Sequence, residues 1–262
     1  AAYRRAFPLA TAAQTQASLA FALEYGVARE QDRPAALARL IDDLLNQRKG
    51  RHTTGIMATK HLLDQLSREG RADVAYAMVN RRDFPGWGFM LENGATTLWE
   101  HWALSDNTFS HSHPMFGSVS QWFFNWLAGI QPAPDAHAFD SILIRPQFVP
   151  GLDWVRCEHR TVRGLVRSDW RREGGKVVME IEIPVGSTAV VHVPAERVED
   201  VSESGKPVAT PGRSDVELLG IEPSAREGAG AGSLMPTRRV VFRIGSGRYT
   251  FVTVNTAERA GE

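Results

Sequence analysis

The stretch "DRPAALARLIDDLLNQRKG", residues 32–50, decides the first half of the fold. Asp32 can cap free N–H groups, Pro34 suits a first helical turn, and Gly50 is a natural stop. Between them Leu37, Leu40, Ile41, Leu44 and Leu45 recur at i, i+3, i+4, i+7 and i+8, one apolar stripe on a helix. The same grammar extends outward in both directions. "TAAQTQASLAFALEYG" (11–26) carries Leu19 and Leu23 one turn apart and stops at Gly26. "ATKHLLDQLSREG" (58–70) stops at Gly70, and "RADVAYAMVN" (71–80) follows. "ATTLWEHWA" (95–103) reads as a fifth helix. "GSVSQWFFNWLAGI" (117–130) is a sixth, with Val119, Trp122, Phe123, Trp126 and Leu127 on one face and Gly129 as its stop. Six helices of this length with short loops predict packed helical hairpins, about half of a twelve-helix toroid.

Past the Pro-rich link "GIQPAPDAHAFDS" (129–141) the period drops to two. "GLVRSDWRR", "KVVMEIEIP", "TAVVHVP", "RRVVFRIG" and "RYTFVTV" alternate apolar with polar residues between Gly, Pro and Ser turns. In "KVVMEIEIP" the residues Val177, Met179, Ile181 and Ile183 share one side, with Glu180 and Glu182 on the other. An antiparallel sandwich is the expected result. The fold class is therefore α + β multidomain, helical over 1–138 and β over 139–262. "EPSAREGAGAGSLMPT" (222–237) reads as a mobile Gly/Ala-rich loop.

Composition narrows the functions. Thirty basic and thirty acidic residues give a formal net charge of zero, which argues against nucleic acid or an anionic membrane surface as partner. No apolar run reaches membrane-spanning length, and no leader pattern opens the chain, so the compartment stays open between cytoplasm and periplasm. Cys157 is the sole cysteine, so no internal disulfide or cysteine-based zinc cluster can form. A first residue other than Met and an early helical pattern read as a piece of something longer.

The chemistry concentrates in "PGWGFMLENGATTLWEHWALSDNTFSHSHPMFGS" (85–118). Its tryptophans can simply fill a core, which suits Trp122 and Trp126 further on. Trp87, flanked by turn formers, reads as a loop residue that could offer a stacking face to a sugar. A metal reading takes His111 and His113 with His101 and Glu100, but lacks a helical ligand motif. A glycosidase reading needs paired carboxylates, an acid for the leaving oxygen and a base for water. Glu100 between Trp99 and Trp102, with Glu92 earlier, supplies candidates, and His113 could donate to a sugar hydroxyl. The plain alternative for Glu100 is a solvated carboxylate at a helix start.

"ENGATTLWEHW" followed by "SHSHPMFGSVSQWFFNWLAGI" resembles the signature of the α-L-rhamnosidases of glycoside hydrolase family 78. "TQASLAFALEYG" and "HTTGIMATKHLLDQLSREGRADVAYAMVNRRDFPGWGFMLENGATT" resemble the same family's helical barrel. "FDSILIRPQF" and "GLDWVRCEHRTVRGLVRSDW" resemble its C-terminal β-domain, so the likeness runs from about residue 10 to about 195. The resemblance implies part of an (α/α)6 barrel of six-hairpin glycosidase type followed by an antiparallel β-sandwich. It implies inverting hydrolysis of a rhamnose-containing glycoside or polysaccharide; the residues suggest no cofactor and no metal site, while the calcium that family members often carry is left undecided. Glu100 matches the general base and His113 a rhamnose-contacting histidine, while Trp87, Trp99 and Glu92 are expected to contact substrate. Nothing in the chain resembles the family's acidic stretch that carries the general acid. The alternatives are a non-catalytic carbohydrate-binding fragment, a six-hairpin glycosidase for another sugar, and a zinc hydrolase.

Overall fold

The structure, a computed structural model, describes residues 14–105, 110–210, 215–224 and 236–254. The chain divides into two compact units, 1–122 and 123–262.

The first unit is helical: α1 Gln16–Glu24, α2 Arg33–Asp42, α3 Thr59–Arg68, α4 Ala72–Val79, α5 Trp87–Glu92 and α6 Ser118–Trp122. Thr15 caps α1 by accepting the Ser18 N–H at 3.1 Å. In α2 the buried stripe is Ala36, Leu40 and Leu44. The helix ends in a π-helical turn over Asp43–Gln47, and Leu45 lies 37% exposed instead of inside. The centre of the unit is α3, where Leu62, Leu63 and Leu66 are fully buried along with Thr59, Gln65 and Ser67. It packs against α1, α4 and α6, so a helix with only one apolar stripe is enclosed by hydrogen bonds on its remaining sides. Trp122 donates its indole N–H to Ser67 Oγ at 2.8 Å on one of those sides.

The fifth helix is not where the pattern places it. Residues 95–103 form no helix; the helix is α5, and Trp87 is its first residue rather than a loop residue. Two forces account for this. β-Branched Thr96 and Thr97 are poor helix residues. The segment also pairs with a later one, Glu100 N–H donating to the Ser110 carbonyl at 3.0 Å and His113 N–H to Leu98 at 2.8 Å. Gly88 inside α5 has its own cause. A Cβ there would stand 2.3 Å from the Arg81 carbonyl oxygen, so only glycine lets the helix lie on that backbone. In the sixth helix, a π-helical turn over Phe123–Leu127 breaks the single apolar face: Leu127 is buried but Phe123 is 40% exposed.

The second unit is a β-sandwich. Its strands are β1 Ile130–Pro132, β2 Ser141–Ile144, β3 Trp154–Val155, β4 Glu158–Thr161, β5 Gly164–Glu173, β6 Lys176–Ile183, β7 Thr188–Pro194, β8 Val201–Glu203, β9 Lys206–Pro207, β10 Val216–Pro223, β11 Arg238–Ile244 and β12 Gly247–Val254. One sheet runs β1-β2-β7-β11-β10; the other runs β3-β5-β6-β12-β8-β9, with β4 on β5. Val177, Met179, Ile181 and Ile183 join Trp170, Val191, Val193, Phe242 and Phe251 in one core. The sandwich is not antiparallel throughout. Strand β2 pairs parallel with β7, Leu143 opposite Val190, after a long crossover that parallel neighbours require. β1 also occupies the start of the Pro-rich link. Gly129 precedes it at φ +74°, where a Cβ would meet Pro146 N at 2.1 Å. The Gly/Ala-rich loop expected over 222–237 falls mostly outside the described residues.

Candidate active site

The irregular ribbon formed by segments 95–105 and 110–113 carries Glu100 and His113. Leu98 stands opposite His113 and Glu100 opposite Ser110, which brings the Glu100 and His113 segments side by side. The Glu100 side chain is half-buried, and its carboxylate has no hydrogen-bond or ion-pair partner among the described residues. His113 Nε2 is buried and likewise unpartnered. A carboxylate held short of full solvent can accept a proton from water, and an imidazole nitrogen without a protein partner can bind a hydroxyl.

Trp102 of the ribbon belongs to an aromatic bed. The Trp102 and Phe116 rings stack at 3.7 Å, and Trp87 meets Trp102 edge-on at 4.9 Å. Both indole N–H groups are spent on backbone: Trp102 on the Thr54 carbonyl at 2.7 Å and Trp87 on the Phe116 carbonyl at 3.0 Å. Trp87 is 9% exposed and Trp99 4%, with the His111 ring 5.7 Å from Trp99. These tryptophans therefore brace the ribbon more than they present open faces. Glu92 ends α5 at the surface, paired with Arg82.

His52, Thr54 and Phe116 belong to this bed and carry no signal in the sequence. His52 sits edge-on to Trp102 at 4.7 Å with 1% exposure, and neither ring nitrogen has a protein partner. Burial, aided by the Arg81 guanidinium, pushes its pKa down to about 4, so the ring is neutral. Only the position of Trp102 reveals it, because the contact spans fifty residues of chain. Among the described residues no three His, Cys, Asp or Glu side chains converge as a metal-holding group.

Comparison with known proteins fits both units. Residues 3–127 match the bacterial alpha-L-rhamnosidase 6 hairpin glycosidase domain, and residues 129–207 match the bacterial alpha-L-rhamnosidase C-terminal domain. The chain belongs to the bacterial α-L-rhamnosidases. An α-L-rhamnosidase of Streptomyces avermitilis is 30% identical over 198 residues, 72% of this chain and 19% of that protein. One from Formosa agariphila is 28% identical over 199 residues, 74% of this chain and 21% of that protein. The chain thus spans about a fifth of the length of these curated rhamnosidases. The solved α-L-rhamnosidase of Dictyoglumus thermophilum superposes with a TM-score of 0.77 at 31% identity, covering 92% of this chain and 25% of that one. The S. avermitilis structure, complexed with L-rhamnose, gives 0.79 at 25% identity over 96% of this chain and 23% of that one. The helical unit is accordingly a portion of a six-hairpin glycosidase fold.

Proposed function

We propose that this chain is part of an enzyme that releases terminal α-L-rhamnose from glycosides or polysaccharides with inversion at the anomeric carbon. The observation that carries the reading is Glu100, a half-buried carboxylate without a partner among the described residues, flanked in sequence by buried Trp99 and Trp102, on a segment hydrogen-bonded to that of His113, whose buried Nε2 is also unpartnered. Glu100 is the general base. It takes a proton from water as the water oxygen bonds to the anomeric carbon and the glycosidic C–O bond breaks. A carboxylic acid across the sugar, roughly 6.5–9.5 Å away in inverting sites, gives its proton to the leaving oxygen. That acid comes from a part of the enzyme other than residues 1–262. His113 holds a sugar hydroxyl. Trp87 and Trp99 shape the pocket wall, and Glu92 contacts substrate at the rim through its link with Arg82. The rhamnose complex of the S. avermitilis relative supports the choice of sugar.

The test is Glu100→Gln in the intact enzyme, assayed on an aryl α-L-rhamnoside. Turnover should fall by about 100- to 10,000-fold while L-rhamnose affinity changes little. A near-normal rate removes Glu100 as base. Proton NMR of the first-formed sugar from the parent enzyme should show the β-anomer; the α-anomer would refute inversion.

A further inference from the structure

Trp154 stands apart from the other tryptophans. Those at 87, 99, 102, 122 and 170 are each at most 9% exposed, whereas Trp154 is 60% exposed. It lies on the two-residue edge strand β3, directly opposite Arg171 of β5. Cross-strand partners share a face of the sheet, so the indole and that guanidinium are neighbours on the outer side. Alternation along β5 and β6 puts Arg167, Asp169 and Glu180 on the same side, with Val166, Ser168 and Trp170 turned inward. Two grooves of about 720 and 810 Å³ flank the β3 segment and share Asp153–Glu158. The first has an apolar wall of Phe123, Phe124, Leu127 and Leu152. The second is lined by arginines and carboxylates in near balance.

We infer that this face of the β-sandwich is a second carbohydrate site, for a neutral oligosaccharide chain. The ligand class follows from the lining. A sugar presents C–H faces that pack on an indole and hydroxyls that both donate and accept. The grooves offer an aromatic platform beside fixed donors and acceptors. The polar groups are held in place before any ligand arrives. Arg171 bonds Glu180 at 2.6 Å and also Glu173, Arg167 pairs with Glu158, and Asp169 accepts the Cys157 N–H at 2.9 Å. Carboxylates match the arginines, so no surplus of cations is left for a nucleic acid or an acidic polysaccharide. Arg156 sits 5.7 Å over the Trp154 ring, yet most of the indole stays open. Such a site would hold the chain whose terminal rhamnose is cut elsewhere, and to that extent it rests on the proposed activity.

The experiment is calorimetry on the intact enzyme carrying Glu100→Gln, with a rhamnose-capped neutral oligosaccharide of four to six sugars as probe (a length of about that order fills a groove of this size). Saturating free L-rhamnose is added to block the pocket around Glu100. Binding should persist in the presence of L-rhamnose, weaken about tenfold or more with Trp154→Ala, and recover with Trp154→Phe. Trp154 is exposed, so an unchanged melting temperature is expected and shows that the variants are folded. Loss of all binding when L-rhamnose is added, or binding indifferent to Trp154→Ala, overturns the site. So does oxidative footprinting that finds Trp154 covered in the intact enzyme by another part of the protein. Failure of the proposed activity reads differently: the parent enzyme then releases no rhamnose, while Trp154-dependent binding stands.

Discussion

Trp170 and Trp102 are both buried, and both give their indole N–H to a backbone carbonyl, yet they are held by different means. Trp170 sits on β5, where alternation alone points it inward, and bonds the Leu127 carbonyl at 2.8 Å. Trp102 sits in a ribbon with no regular structure and is fixed by Phe116 and, from a distant part of the chain, by Thr54 and His52. The sandwich gets its order from a repeating ladder. The ribbon that pairs the Glu100 and His113 segments follows no repeat, and the aromatic bed replaces the ladder. Replacing either tryptophan by alanine should cost about 3–5 kcal/mol of stability, the range for a fully buried aromatic. The comparison predicts a split in function. In the intact enzyme Trp102→Ala should also lower turnover per folded molecule, because the ribbon shifts, and Trp170→Ala should not. Equal effects on turnover would show that the bed is ordinary core.

The same contrast explains what the sequence could show. Strands β5, β6, β7, β11 and β12 were legible because each residue's face follows from its neighbours two away. The helices over 16–24, 33–42 and 59–68 were legible for the equivalent reason at period 3.6. The ribbon misled, since Leu98, Trp99 and Trp102 have helical spacing but answer to contacts far along the chain. Gly88 misled too: it reads as a turn former, while its cause is the Arg81 carbonyl pressing on α5. The parallel β2–β7 pair was invisible because no local pattern encodes which strand a short edge segment will join. Glu100 and His113 stand in motifs that mark them as candidates, whereas no pattern marks His52.

Each region also hides a neutral histidine, which gives a second comparison. His52 lies in the bed with its pKa pushed down to about 4. His192 of β7 is pushed down to about 3 by burial, with Arg145 and Arg239 adding repulsion. The Glu222 carboxylate stands 3.6 Å from His192 Nδ1, too far and too exposed to offset those forces. Both histidines bind a proton more readily unfolded, near pH 6.5, than folded. Stability is therefore unaffected by them above pH 7 and falls as pH drops from 6.5 toward 4, by roughly 3 kcal/mol for each. Proton NMR should find both rings silent between pH 8 and 5. A midpoint near 6.5 for His52 alone would mean that water reaches the bed and that the ribbon above it is looser than the sandwich.

The smallest effect belongs to Glu92, and it separates the rim from the bed. Its carboxylate is 51% exposed and paired with Arg82, itself 81% exposed, so screening leaves the pair worth about 0.5 kcal/mol or less. Glu92→Gln should leave the melting temperature unchanged. If Glu92 contacts substrate at the rim, away from the breaking bond, that contact is the same in the ground and transition states. KM should then rise about threefold with kcat unchanged, the signature of lost uniform binding. A fall in kcat approaching that of Glu100→Gln would put a second carboxyl group in the chemistry, and the acid assigned to another part of the enzyme would have to be sought on α5.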